Sequence, residues 1–169
     1  SKDTQGVKFR SYNSATATFA EELGMVPVQV EAAELSQALA TGVAESFISS
    51  GSTGYDRKVW EHLSHYYKVN AWLPRNYVMV NKGVWEGLSS DMKGAIQKAA
   101  DETGAACSAK SAELANWYFE QLEANGMAVE DASPEFLAEL QAIGAKMTSD
   151  WLASAGADGQ AILDAYKSN

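Results

Sequence analysis

Cysteine is nearly missing: Cys107 is the only one in 169 residues. A lone thiol forms no internal disulfide, and no partner stands at metal-ligand spacing from it. Cys107 lies in a helical pattern among small residues, which reads as buried packing. Histidine is almost as scarce. His62 and His65, spaced i, i+3 beside Glu61 on an expected helix, could share a metal, but no third ligand is in view and a solvated helix face is the better reading. No apolar run approaches the ~20 residues of a membrane-spanning helix. Positive charge is in deficit: 13 Lys and Arg stand against 22 Asp and Glu, a formal net charge of −9 and a pI near 4.7. That excludes the basic field which a nucleic-acid or anionic-membrane surface needs. A small anion remains admissible, because a local arginine outweighs distant charge screened over about 8–10 Å.

What is present suits a folded domain: 46% hydrophobic and 21% charged residues, enough for one full core or two small lobes. The chain opens on Ser1-Lys2-Asp3-Thr4-Gln5 without an initiator Met and enters a strand within a few residues. This is expected of a piece of a longer polypeptide, so the lack of a secretion signal carries no information on compartment.

Three strand-like segments come early, Val7–Arg10, Val26–Glu31 and Glu45–Ser49, with helical stretches Ser14–Leu23 and Ala32–Thr41 between them. Such β-α-β-α-β alternation with short joints predicts a parallel sheet wrapped by helices. Gly24 and Gly42 stand where helices end, and Pro27 falls near a strand start, where its missing N–H costs least. From Tyr66 the texture changes. The β-rich segments Tyr66–Leu73 and Asn76–Val80 flank Pro74 and read as long extended stretches. Ser89-Ser90-Asp91 then caps a helix running to Asn125-Gly126. At some 34 residues it would be roughly 50 Å long, which predicts a helix bridging two lobes. A short strand, Met127–Val129, precedes Ser133-Pro134, an N-cap with proline at N1. The helix so started runs through Trp151 to Gly156, and Asp158–Tyr166 forms a last short one. The tryptophans mostly fit helical apolar stripes and read as core; Trp72 is the exception, in an extended segment.

Arg10 is the most informative residue. It closes Gly6-Val7-Lys8-Phe9-Arg10, which alternates as a half-buried strand would, and Ser11-Tyr12-Asn13-Ser14 follows as turn and N-cap. An arginine fork held between a strand end and a helix start can take a carboxylate or phosphate; the other reading is a weak surface ion pair. The loop Ser49-Ser50-Gly51-Ser52-Thr53-Gly54 follows the third strand, at the carboxyl end where open α/β sheets bind ligands. It lacks the Lys-Ser/Thr ending of a Walker loop and the spacing of a nucleophile elbow. Hydrogen bonding to an anion and a plain surface turn both remain open for it.

The run Gly6–Asn13, the segment Glu34–Glu45, the stretch Trp72–Lys82 and Leu88-Ser89 together resemble the C-terminal half of TRAP-transporter substrate-binding proteins of the DctP type. The likeness covers essentially the whole chain, and Asp56 and Lys58-Val59-Trp60 after the Ser/Thr-Gly loop extend it. It implies an extracytoplasmic, periplasmic receptor that captures an organic acid anion and delivers it to TRAP membrane permease subunits, with no chemistry and no cofactor. Arg10 would pair with the ligand carboxylate. Asn13, Ser49, Ser50, Trp72 and Asn76 would join it as ligand-binding residues, Trp72 facing an aromatic or branched monocarboxylate. The implied fold is α/β, a periplasmic-binding-protein-like lobe with a parallel sheet, crossing strands and a long bridging helix. Residues 1–68 would form the lobe segment, 69–90 the crossing strands and hinge, 91–126 the bridging helix and 127–169 the C-terminal strand and helices. The N-terminal half of the family fold would be absent. Two other classes stay open: an α/β enzyme holding a phosphorylated substrate at Ser49–Gly54, and a helical interaction module built on the long helix.

Overall fold

The computed structural model describes residues 2–72 and 76–168. Its first half is the expected alternation: β1 (Lys8–Ser11), α1 (Ser14–Glu22), β2 (Val26–Gln29), α2 (Leu35–Ala40, entered through a 3₁₀ turn at Ala32–Glu34), β3 (Ser46–Phe47) and α3 (Gly51–Asp56). The three strands form one parallel sheet in the order β2-β1-β3, with Arg10 opposite Val28 on one side and Phe47 on the other. Short joints close each unit. Gly24 takes a left-handed φ of 72° after α1, a conformation glycine adopts without strain.

Both faces of this sheet are covered. Phe9 packs with Phe19, Ala20 and Leu23 of α1 and with Leu140 and Ile143. On the opposite face Val28, Val30 and Phe47 pack with Leu35, Ala38 and Leu39 of α2, and with Leu122 and Met127. As the central strand, β1 is therefore buried at Phe9, Arg10 and Ser11 alike, not on one face as its alternation suggests. Alternation distinguishes residue types; the helices on both faces decide burial.

A second parallel pair, β4 (His65–Lys68) and β5 (Ala128–Asp131), joins the two halves of the chain, with Tyr66 opposite Val129. After β4 comes α4 (Lys82–Glu86), then α5 (Ser90–Ala124), the long helix. The Ser89 side chain caps it at Met92 N. α6 (Pro134–Lys167) starts from the Ser133 cap and breaks at Gly156, whose φ of 62° and ψ of −144° are not helical. The expected end and restart of that helix thus fall at the expected residue.

Several expectations are corrected. His62 and His65 share no helix: His62 follows a 3₁₀ turn (Val59–Glu61), and His65 opens β4, accepting or donating at Nδ1 to Ser64 Oγ at 2.8 Å. No group of three metal-ligating side chains occurs among the described residues. Cys107 is exposed in this chain, in a stretch of α5, residues 94–113, that is exposed all round, and not buried as its small neighbours suggest. Among the described residues of the crossing segment, Asn76–Val80 form no strand and are exposed, since a β-rich run makes a strand only beside a partner. Leu73, Pro74 and Arg75 of that segment lie outside the described residues. Most of the tryptophans are not core either: Trp60 packs half-buried against the cluster of Leu35, Val59 and Leu122, but Trp72 and Trp85 are only half-buried, and Trp117 and Trp151 are exposed.

The Ser49–Gly54 loop is also different. From Gly51 it is helical, and its glycines serve close approach. A Cβ on Gly51 would stand 3.1 Å from Tyr118 Cβ of α5, and one on Gly54 would stand 3.5 Å from Leu122 Cδ2. No described helix is long and apolar enough to cross a membrane.

Candidate functional site

The carboxyl ends of the three parallel strands surround a pocket of about 320 Å³, lined by Arg10, Tyr12, Glu31, Ala32, Ser49 and Thr53. Arg10 and Tyr12 come from the end of β1, Glu31 and Ala32 from the segment after β2, Ser49 and Thr53 from that after β3. With strand order 2-1-3, the order of strands reverses at β1 while all three stay parallel, and the crevice left there is where doubly wound sheets take ligands.

Arg10 anchors the pocket. It is only 3% exposed, and its Nε donates to the Val30 carbonyl at 2.7 Å. That bond fixes the guanidinium plane. Among the described residues the fork's outer nitrogens have no hydrogen-bond partner, so the fork is oriented without being consumed. Its cation stands 5.2 Å from the Tyr12 ring centroid, within cation–π range. Burial pushes the Arg10 pKa down, while Glu31 and then Tyr12 push it up; guanidinium remains charged throughout the physiological range. Burial raises the Tyr12 phenol, with Arg10 opposing. The pocket therefore offers one rigid cation, a neutral phenol, two hydroxyls, one carboxylate and the Ala32 methyl. Such a set suits a small anion with a polar body.

Of the residues expected from the sequence, the fold brings Arg10 and Ser49 together here. Asn13 is committed elsewhere. Its Oδ1 accepts from Thr16 N at 2.8 Å in a capping box that starts α1. Asn13→Ala is therefore expected to cost about 1 kcal/mol of stability, lowering Tm by about 2 °C, with ligand affinity unchanged; calorimetry and a melting curve separate the two. Ser50 is the N-cap of α3, accepting from Thr53 N at 3.3 Å. Since adjacent residues of an extended segment point oppositely, Ser49→Ala is expected to weaken binding about 3–10-fold, the loss of one hydrogen bond. Ser50→Ala is expected to lower stability only. Equal effects on affinity would reject the distinction. Trp72 is half-buried and Asn76 exposed, and neither lines this pocket.

Tyr12, Glu31 and Ala32 were not anticipated; Thr53 belongs to the Ser49–Gly54 loop weighed as an anion site but was not singled out within it. For Tyr12 a signal existed: it stands two residues after Arg10, on the same side of an extended chain. Glu31 and Ala32 carry no local mark, because only the crossover through α1 brings the end of β2 beside β1.

No curated protein matches the chain. A marine metagenome TRAP solute-binding protein, described as specific for pyroglutamate and solved with co-purified pyroglutamate, is 83% identical, with a TM-score of 0.96. The match covers 99% of this chain and 55% of that one. Two extracytoplasmic solute receptors of Bordetella pertussis described as binding pyroglutamic acid, DctP6 and DctP7, are 44% and 36% identical, with TM-scores of 0.96 and 0.95. They are matched over 99% and 98% of this chain and 56% and 55% of their own. The chain thus spans little more than half the length of the solved structures it matches. The profile of the bacterial extracellular solute-binding proteins of family 7, DctP, matches residues 1–154. With the parallel sheet and the long helix already established, the chain belongs to that family of transport binding proteins, which are not enzymes.

Proposed function

We propose that the receptor carrying this chain captures pyroglutamate, or a close cyclic monocarboxylate, outside the cytoplasm, and presents it to the membrane subunits of a TRAP transporter. The observation that carries this reading is the buried Arg10 fork, held by Val30 and facing a pocket at the strand ends. The relative with co-purified pyroglutamate, 83% identical, supports the choice of acid. A carboxylate would dock on the fork. The hydroxyls of Ser49 and Thr53 would bond the ligand's polar body, and Ala32 would pack against its ring. In this reading residues 1–68 supply a lobe segment, 69–90 the hinge, 91–126 the bridging helix and 127–169 the closing helices; ligand binding draws two lobes together by hinge bending. The reading of compartment and transporter partner is supported by relatives described as a TRAP solute-binding protein and as an extracytoplasmic solute receptor.

Native mass spectrometry of the full-length receptor as purified tests the proposal. The expected result is a bound mass equal to one pyroglutamate. A thermal-shift screen should then show stabilisation by pyroglutamate and none by succinate or malate, since a ligand of the native state raises Tm by mass action. Stabilisation by the dicarboxylates alone overturns the assignment.

A further inference from the structure

We propose that Glu31 is a specificity-determining residue of the Arg10 pocket, selecting ligands that carry an N–H donor beside their carboxylate. The inference rests on the pyroglutamate reading and deepens it. A carboxylate on the wall of an anion pocket needs explaining, because it repels the ligand class the arginine attracts. Glu31 is not diverted to other work. It precedes the 3₁₀ turn Ala32–Glu34 without capping it, and among the described residues no salt bridge joins it to Arg10 or to any other cation. Its placement beside the arginine is built into the backbone: Val30, whose carbonyl holds Arg10 Nε at 2.7 Å, is the preceding residue.

The ligand's chemistry matches that juxtaposition. In pyroglutamate the lactam nitrogen and the carboxylate are attached to the same carbon, so the groups that recognise them must also be neighbours. Arg10 takes the carboxylate, and the Glu31 carboxylate accepts the lactam N–H in a charge-assisted bond. A ligand with a ring oxygen at that position sets lone pairs against a carboxylate. A compact dicarboxylate brings a second negative charge toward it. Rejection of such ligands comes from this unpaired acceptor as much as from the fit of the correct one.

The test compares pyroglutamate with its lactone counterpart, 5-oxotetrahydrofuran-2-carboxylate, in which the N–H is replaced by oxygen. Calorimetry uses the full-length receptor and its Glu31→Gln variant. The native receptor is expected to prefer pyroglutamate by at least about 100-fold, as a site built for a donor does. In Glu31→Gln the carboxamide keeps an acceptor for the lactam and gains a donor for the lactone. Its preference is expected to fall to about 10-fold or less, chiefly through tighter lactone binding. Because Glu31 is exposed and caps nothing, the variant should melt with the native protein. An unchanged preference in a folded Glu31→Gln overturns the role of Glu31 while leaving the pyroglutamate reading intact. A native receptor that binds neither ligand overturns both.

Discussion

Arg10→Ala in the full-length receptor is expected to cost about 2–5 kcal/mol of pyroglutamate binding, the range for truncating one partner of a buried charge pair. The size follows from burial and preorganisation. Arg10 as a residue is 3% exposed, and its guanidinium is already oriented by the Val30 carbonyl at 2.7 Å, so little side-chain entropy is lost when a carboxylate arrives. Arg10→Lys keeps the charge but loses the planar fork, and its ammonium cannot serve Val30 and both ligand oxygens in the same geometry. A substantial loss is expected there too, smaller than for alanine. The truncation also strips the Val30 carbonyl of its donor, a penalty of about 1–3 kcal/mol against stability. Affinity is therefore read by calorimetry on protein whose melting curve shows it folded. Unchanged affinity for Arg10→Ala would remove the arginine from the site.

Leu122→Ala should be the most damaging core change tied to the site, at about 2–5 kcal/mol of stability. Leu122 is fully buried near the end of α5 and belongs to the cluster that includes Leu35 and Leu39 of α2, Val59 and Met127. Its two methyl carbons lie 3.5 and 3.7 Å from where a Cβ on Gly54 would stand. The cavity left by truncation cannot close readily, because α3 already approaches α5 through glycine. Urea unfolding of the full-length receptor should show a lower midpoint at unchanged slope. An unchanged midpoint would mean that this end of α5 is not where the lobe is held. α3 also carries Thr53 into the pocket, so the α3–α5 contact supports the site as well as the core.

Much of the backbone plan was legible in the residues. Periodicity and punctuation placed β1, α1, β2 and α2, because short elements joined by glycine and turn residues carry their boundaries locally. The caps at Ser89 and Ser133 and the break at Gly156 were readable for the same reason: each is a short-range hydrogen bond or a backbone conformation that one residue type favours. Where packing decides, the sequence misled. Cys107 and most of the tryptophans looked like core because small and aromatic residues usually are, yet burial is a property of what lies opposite; Trp60, which has the Leu35–Leu122 cluster opposite it, does pack there. The Asn76–Val80 run, β-rich throughout, makes no strand for the same cause.

By itself, then, the sequence determined the parallel α/β alternation, the long α5 and the family, and it singled out Arg10 as the candidate anion anchor. These rest on local patterns and on one residue of distinctive chemistry at a strand end. The tertiary structure alone decided that Arg10 is buried on a central strand, that Asn13 and Ser50 are caps, that Ser49 is the serine in the pocket, and that Glu31 stands beside the arginine. Residues 21 apart in the chain meet because β1 and β2 pair in parallel through the α1 crossover. No periodicity encodes that neighbourhood, since it exists only once the sheet is assembled.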